Sequence, residues 1–426
     1  MPFAKSREGK LAKERSAISL PVRYAFIRGF RGNQAASWYT WKLNSASLFT
    51  MGHGMGILTT ALLCLAGRHS NRMKRIRLAF VVVFFLWFAI LPSVRAAFTS
   101  MQVFGDGLST ITNNVSPGTN YYGNRYCNGR VWVEVLAERQ GLTLQTNQNL
   151  SFFGHYSSNL VGNVSNYLAQ PDVSTTLFVV WVNNADIVFD ISFFNPYTSN
   201  NIATWTNANN RSISNHARIV ETLYAKGART IVMPPALDIT KAPVYNITAA
   251  GEDFIRQQVI AFNDQFTNRM NQLQGSLPGL KIIMPDFFTF VDDMIAHPTN
   301  YTFTNSTSYA LLGLVNKTLN GPGTNYVFWD NLNPSARVHE IFADMTQALL
   351  SVPYTSAITR AGNSNQLAIA NAPIGLGGIV EGTTDFANWS AVQGFDTTNS
   401  SLAVQVPMSG TKWFYRLRFP FAWSWP

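Results

Sequence analysis

The chain of 426 residues has two cysteines, six histidines and only 13% charged residues. Cys64 and Cys127 cannot build a disulfide framework or a cysteine-based metal site. His155, His216, His297 and His339 are scattered without metal-ligand spacing, so neither a metal nor a cofactor is expected. Long apolar runs are missing too. The uncharged apolar stretch from Leu78 to Leu91 has 14 residues, about 21 Å of helix against the roughly 30 Å of a bilayer's hydrocarbon core. There is no convincing internal repeat or low-complexity tract.

Positive charge is present in excess, with 32 Lys and Arg against 22 Asp and Glu and a formal net charge of +10. Spread evenly, that balance would suggest a nucleic-acid or anionic-membrane partner. It is not spread evenly. Residues 1–97 hold 15 basic and 2 acidic residues, whereas 98–426 hold 17 and 20. The larger part of the chain is mildly acidic, and no nucleic-acid partner is expected.

The basic region ends in a recognisable pattern. Met73-Lys74-Arg75-Ile76-Arg77 precedes the apolar stretch, and Pro92-Ser93-Val94-Arg95-Ala96-Ala97 follows it. A cationic start, a short apolar run and a small-residue exit are the parts of a secretory signal peptide, here 73–97, cleaved after Ala96 or Ala97. A signal anchor that retains the protein on the membrane is the competing reading. The product is then secreted, periplasmic or cell-surface, with Cys127 its one thiol. The internal methionine points to a start codon assigned too far upstream for 1–72; a genuine basic leader or a two-segment anchor is the alternative.

From Met101 onward, short β-type runs alternate with helical ones, as in a parallel sheet covered on both faces. Strands are predicted at Met101–Gly105, Leu177–Val182, Thr230–Met233 and Lys281–Met284. Helices are predicted at Arg130–Gln140, Ser214–Ala225, Glu252–Leu273 and Pro334–Leu350. In the third helix Phe254, Ile255, Val259, Phe262, Phe266, Met270 and Leu273 form one apolar stripe. Gly227 and Gly275 are expected to terminate helices, and Asn333-Pro334 to start one. The α/β domain is placed at 98–360. After it, periodicity changes to alternation between Gly, Asn, Ser and Thr clusters, so 366–426 is expected to be a small β-rich appendage, with the aromatic end from Phe419 packed on the body, a ligand platform being the alternative.

Ligands of open parallel sheets bind beyond the carboxyl ends of the strands. After the first strand stands Val103-Phe104-Gly105-Asp106-Gly107-Leu108-Ser109. Further on come Asn128-Gly129-Arg130-Val131-Trp132, the Asn149–Ser157 segment with Gly154, and Val180-Trp181-Val182-Asn183-Asn184-Ala185-Asp186. Phe303-Thr304-Asn305 and Asp330-Asn331-Leu332-Asn333-Pro334 complete the series. In this order the segments resemble the conserved blocks of the GDSL lipases, or SGNH hydrolases. The resemblance implies a flavodoxin-like three-layer α/β/α sandwich acting on ester bonds of acetylated sugars, lipids or other small esters.

Ester hydrolysis of this kind needs an oxygen nucleophile, an imidazole base, an orienting carboxylate and oxyanion donors. By the resemblance, the nucleophile position is Gly107, the base position Asn333, the amide-donor position Ala185, the oxyanion glycine Gly154 and the carboxylate Asp330. Glycine has no side chain, and asparagine cannot act as a base near neutral pH. Ser109, His155, Asn184, His339 and Asp106 are the neighbouring groups that could substitute, Ser109, His155 and Asp330 forming a relocated triad. Plainer roles are open too: Asp106 and Asp330 as caps, His339 as a satisfied surface or core residue, Trp132 and Trp181 as core. Tyr121, Tyr122 and Tyr126 fit either a sugar-stacking surface or a docked loop. Two functions follow: an exported ester hydrolase with altered residues, or a non-catalytic pseudoenzyme that binds a small ester or glycan in the same cleft.

Overall fold

The computed structural model describes residues 98–112, 114–313, 319, 325–407 and 413–419. The basic leader, the signal-type segment, Cys64 and the aromatic residues after Phe419 lie outside the described residues.

Strands β1 (Ser100–Gly105), β2 (Thr176–Trp181), β3 (Thr230–Val232) and β4 (Lys281–Ile283) lie side by side in that order, all parallel. On the free edge of β1 runs the extended segment Asn149–Phe152. Its Leu150 and Phe152 N–H groups donate to the carbonyls of Val103 and Gly105 at 2.8 and 3.1 Å. The second extended segment in sequence therefore flanks the first on the outside, which is the flavodoxin-like order. Side chains alternate across this sheet with period two. Leu177, Val179 and Trp181 enter one core layer, and Phe178 and Val180 the other.

The helices are α1 (Trp132–Arg139), α2 (Ser157–Asn166), α3 (Asn183–Phe193), α4 (Ile202–Ala225), α5 (Ala249–Ser276), α6 (Phe287–Ala296) and α7 (Ala336–Leu350). Helices α1, α6 and α7 cover the face carrying Trp181; α2 to α5 cover the other. In α5 the residues Ile255, Val259, Phe262, Phe266, Met270 and Leu273 are buried, and Thr248 caps its start by accepting from Gly251 N–H at 3.3 Å. The result is an α/β/α sandwich, as expected.

Several local expectations need correction. Gly275 does not terminate α5, which runs on to Ser276; the positive φ of +74° falls at Gly279 instead. Gly227 does adopt φ +107° after α4. Asn333 does not cap α7, whose N-cap is Ser335, because its side chain is bound to Asp330. Helix α4 begins at Ile202, a turn sequence rich in Asn and Thr that conceals buried Trp205, Ala208 and Ser212. Helices α2, α3 and α6 carried no sequence expectation.

A short parallel pair, β5 (Asn305–Tyr309) and β6 (Tyr326–Phe328), precedes α7. After α7 come β7 (Tyr354–Ala361), β8 (Ser364–Ala370), β9 (Gly378–Thr383), β10 (Ser390–Phe395), β11 (Ser401–Pro407) and β12 (Phe414–Arg418). They form two antiparallel sheets, β11-β8-β7 and β10-β9-β12, around a separate core that includes Leu367, Ile369, Val380, Val404, Val406 and Phe419. Where this β unit meets the α/β body, Arg139 at the end of α1 is only 4% exposed. Its guanidinium donates to Asp344 (2.7 Å), Glu340 (3.3 Å) and the carbonyl of Ile374 (3.2 Å). Gly375 lies beside it with φ +78°, where a Cβ would come within 3.0 Å of the guanidinium. Only glycine suits that position.

Candidate active site

The site is built at the carboxyl end of β1. Gly105 must be glycine, since a Cβ there would meet the Trp181 carbonyl at 2.9 Å. Asp106 then caps the single 3-10 turn Gly107–Ser109, its carboxylate accepting from Leu108 N–H at 2.9 Å. Burial pushes the Asp106 carboxyl up to about 7, against the Leu108 hydrogen bond and with a further push from Asp186. At Gly107 the space a side chain would take is filled. A Cβ would lie 2.8 Å from Cδ2 of Phe153, whose ring stacks on Tyr126 at a centroid distance of 4.4 Å.

The turn after β6 holds the carboxylate. Asp330, 8% exposed, accepts from Leu332 N–H (2.8 Å), Asn333 N–H (2.6 Å) and the Asn333 carboxamide (2.9 and 3.1 Å). The Tyr121 hydroxyl donates to its other face at 2.9 Å. Burial first, and Asp330 second, hold that phenol far above its ordinary range, so Tyr121 remains a donor. Trp329 donates to the Asn120 carbonyl (3.0 Å), and the Asn128 side chain accepts from Ala336 N–H (2.9 Å). The tyrosine loop is thereby docked onto the Asp330 turn and the start of α7. Tyr121→Phe should cost about 1.5–3 kcal/mol, the typical worth of a hydrogen bond to a carboxylate; urea denaturation of both proteins measures it.

The remaining candidates are placed apart from this cluster. Ser109 is fully buried, its hydroxyl accepting from the Trp132 indole at 3.0 Å and its carbonyl from Asn149 at 2.7 Å. His339 is buried on α7 beside Phe342, and burial drives its pKa down to about 3. His155 follows Gly154, which adopts φ +88° with open space beside its α-carbon. Burial lowers the His155 pKa, opposed by the Gly105 carbonyl. Asn184 accepts from Leu237 N–H at 2.8 Å at the start of α3, next to the half-buried Ala185. No hydrogen bond joins Ser109, His155 or His339 to one another or to Asp330 among the described residues. The other two histidines lie elsewhere: His216 meets the Ser212 carbonyl at 2.8 Å, and His297 meets Asp293 at 3.0 Å.

Sequence reasoning missed Phe153, although it directly precedes Gly154. Nothing in a one-dimensional reading shows that its ring turns back over position 107. It also left open what Tyr121 does, which depends on a contact across 209 positions of chain.

A parallel sheet in flavodoxin-like order, with a capped turn after its first strand and an Asp-x-x-Asn turn before its last helix, defines an SGNH-type α/β/α scaffold. No protein-family model matches the chain. It is similar in sequence to GDSL esterase/lipases of Arabidopsis thaliana: one is 25% identical over 215 residues (46% of this chain, 60% of the relative), another 26% identical over 220 residues with the same coverage. A third is 30% identical over 142 residues, 30% of this chain and 40% of that relative. The similarity is low but consistent, and the chain spans about 60% of the length of the first two relatives. A lipase from a goat rumen metagenome superposes with a TM-score of 0.37 at 12% identity, covering 58% of this chain and 96% of that one. Among the described residues, no helix is long and apolar enough to cross a membrane.

Proposed function

We propose that the chain is an exported member of the GDSL/SGNH superfamily that keeps the cleft of an ester hydrolase as a binding site, for a small ester or a glycan, without turning it over. The observation that carries this reading is the state of two positions. Phe153 lies over Gly107, and the Asn333 carboxamide donates to Asp330 where the family has its imidazole. The pair at Asp330 keeps its shape but holds no transferable proton. Tyr122 and Phe153 are exposed, aromatic surface of the kind that suits a sugar or acyl group.

The full chain, incubated with 4-nitrophenyl acetate and with a serine-directed fluorophosphonate, should show neither turnover above buffer nor labelling. Turnover and labelling that both disappear in Ser109→Ala would replace this reading with the relocated-triad hydrolase.

A further inference from the structure

Ten Asn-x-Ser/Thr triplets stand in the chain, all beyond residue 97 and so within the part that export would deliver. Such a triplet is the acceptor pattern for N-glycosylation of exported chains. The pattern alone selects nothing, but the fold does. A glycan is bulky and hydrophilic, so the folded protein can carry one only where the asparagine faces water and its carboxamide is not already spent. We infer that Asn246, Asn300 and Asn399 are glycosylation sites. The inference rests on the export in the proposed function and not on the reading of the cleft.

Nine of the ten asparagines are among the described residues, and six of these are unsuited. Asn114 and Asn149 are buried, and their carboxamides hold the Phe153 N–H and the Ser109 carbonyl. Asn305 is half-buried in β5, its oxygen accepting from the Thr307 and Ser308 N–H groups at 3.2 and 2.9 Å. Asn388 is exposed, but its Nδ2 donates to the Asp385 carboxylate at 2.8 Å. Asn163 and Asn210 stand inside helices α2 and α4, and the hydroxyl two places after each is occupied. Ser165 donates to the Val161 carbonyl at 2.7 Å, while Ser212 is buried and donates to Asp186.

The other three differ in every respect. Asn246 lies in the loop before α5, Asn300 in the turn after α6 and Asn399 in the connection between β10 and β11. Each is exposed, and so are Thr248, Thr302 and Ser401, the hydroxyl residues of the three triplets. Among the described residues no hydrogen bond engages the carboxamide of Asn246 or Asn300, and that of Asn399 meets only the Thr398 hydroxyl at 3.5 Å. Two residues before Asn246, the Val244 N–H donates to the Asn331 carbonyl at 2.6 Å, so this site stands next to the Asp330 turn. In the transfer, the carboxamide nitrogen bonds to the anomeric carbon of an oligosaccharide carried on a lipid diphosphate. The anomeric carbon–oxygen bond breaks, the lipid diphosphate leaves, and the nitrogen gives up one proton.

The test is expression of the full chain in eukaryotic host cells, followed by peptide N-glycosidase digestion of the medium protein in heavy-oxygen water. Digestion turns each glycosylated asparagine into a heavy-oxygen aspartate that peptide mass spectrometry locates. Positions 246, 300 and 399 should all carry the tag, and Asn246→Gln, Asn300→Gln and Asn399→Gln should each remove one step of the gel shift on digestion. Secreted protein lacking the tag at any of the three overturns the inference and leaves export standing. A tag at Asn114 or Asn149 overturns it as well, since burial would then not decide which triplets are used. A chain found unmodified and only in the cytosol overturns both this inference and the export on which it rests.

Discussion

Arg139→Met should destabilise the protein by about 3–5 kcal/mol, the usual cost of leaving a buried ion pair without one partner. Arg139 is 4% exposed and faces Asp344 at 2.7 Å and Glu340 at 3.3 Å, with Glu138 at 3.9 Å. Methionine fills much of the same volume, so the loss reports charge and hydrogen bonding more than packing. The deficit should also depend on pH. Burial, and then the neighbouring Asp344, already raise the Glu340 carboxyl to about 7, and burial raises Asp344 as well. A carboxyl whose folded pKa is raised stabilises the fold most when protonated, and that contribution is lost as pH rises through the folded value. Without the guanidinium the deficit should therefore be largest near pH 8 and shrink toward pH 5. Denaturant midpoints at the two pH values measure it, and a deficit independent of pH would mean that packing, not charge, holds this junction.

The second large effect concerns chemistry. Gly107→Ser with Asn333→His should leave hydrolysis of 4-nitrophenyl acetate at the buffer rate, and adding Phe153→Ala should raise it by about 10²-fold or more, the contribution typical of an admitted general base. The Asn333 carboxamide already meets Asp330 at 2.9 Å, so an imidazole there inherits an orienting carboxylate. The obstacle is steric: a Cβ at position 107 meets Phe153 at 2.8 Å, and the ring is held in place by Tyr126. Equal activity in the double and triple variants would show that Phe153 yields freely. An inactive triple variant would show that the Asp330 turn does not present its partner as a His–Asp pair must.

The sheet was legible because its strands are short Val, Ile and Phe runs between turn residues, and the register follows from burial on both faces. Predicted and observed strands differ by a residue or so at their ends. Helix α5 was legible from its single apolar stripe. Helices α2 and α3 were not: α2 is Ser- and Asn-rich with only Ser157, Leu160 and Val164 buried, too few for a periodic signal. That Gly107 has no hydroxyl and Asn333 no imidazole is visible in one dimension. What surrounds them is not. Phe153 over Gly107, Tyr121 on Asp330 and Ser109 beneath Trp132 are contacts between distant segments, set by how loops dock and not by local pattern.

The β unit has a consequence in time. Strand β9 lies at the centre of its sheet and pairs with β10 on one side and β12 on the other, and the core is closed by Phe419 packing edge-on against Phe395. Glu381 on β9 is matched by Arg416 and Arg418, both contributed by β12. During synthesis, then, β9 emerges with one edge bare and with Glu381, buried in the finished fold, without its counter-ions, and stays so until residue 419 has cleared the ribosome. The unit that meets Arg139 through the Ile374 carbonyl is thus completed after the α/β body, and a nascent chain interrupted before β12 exposes an unpaired strand edge, the kind of surface that recruits other chains.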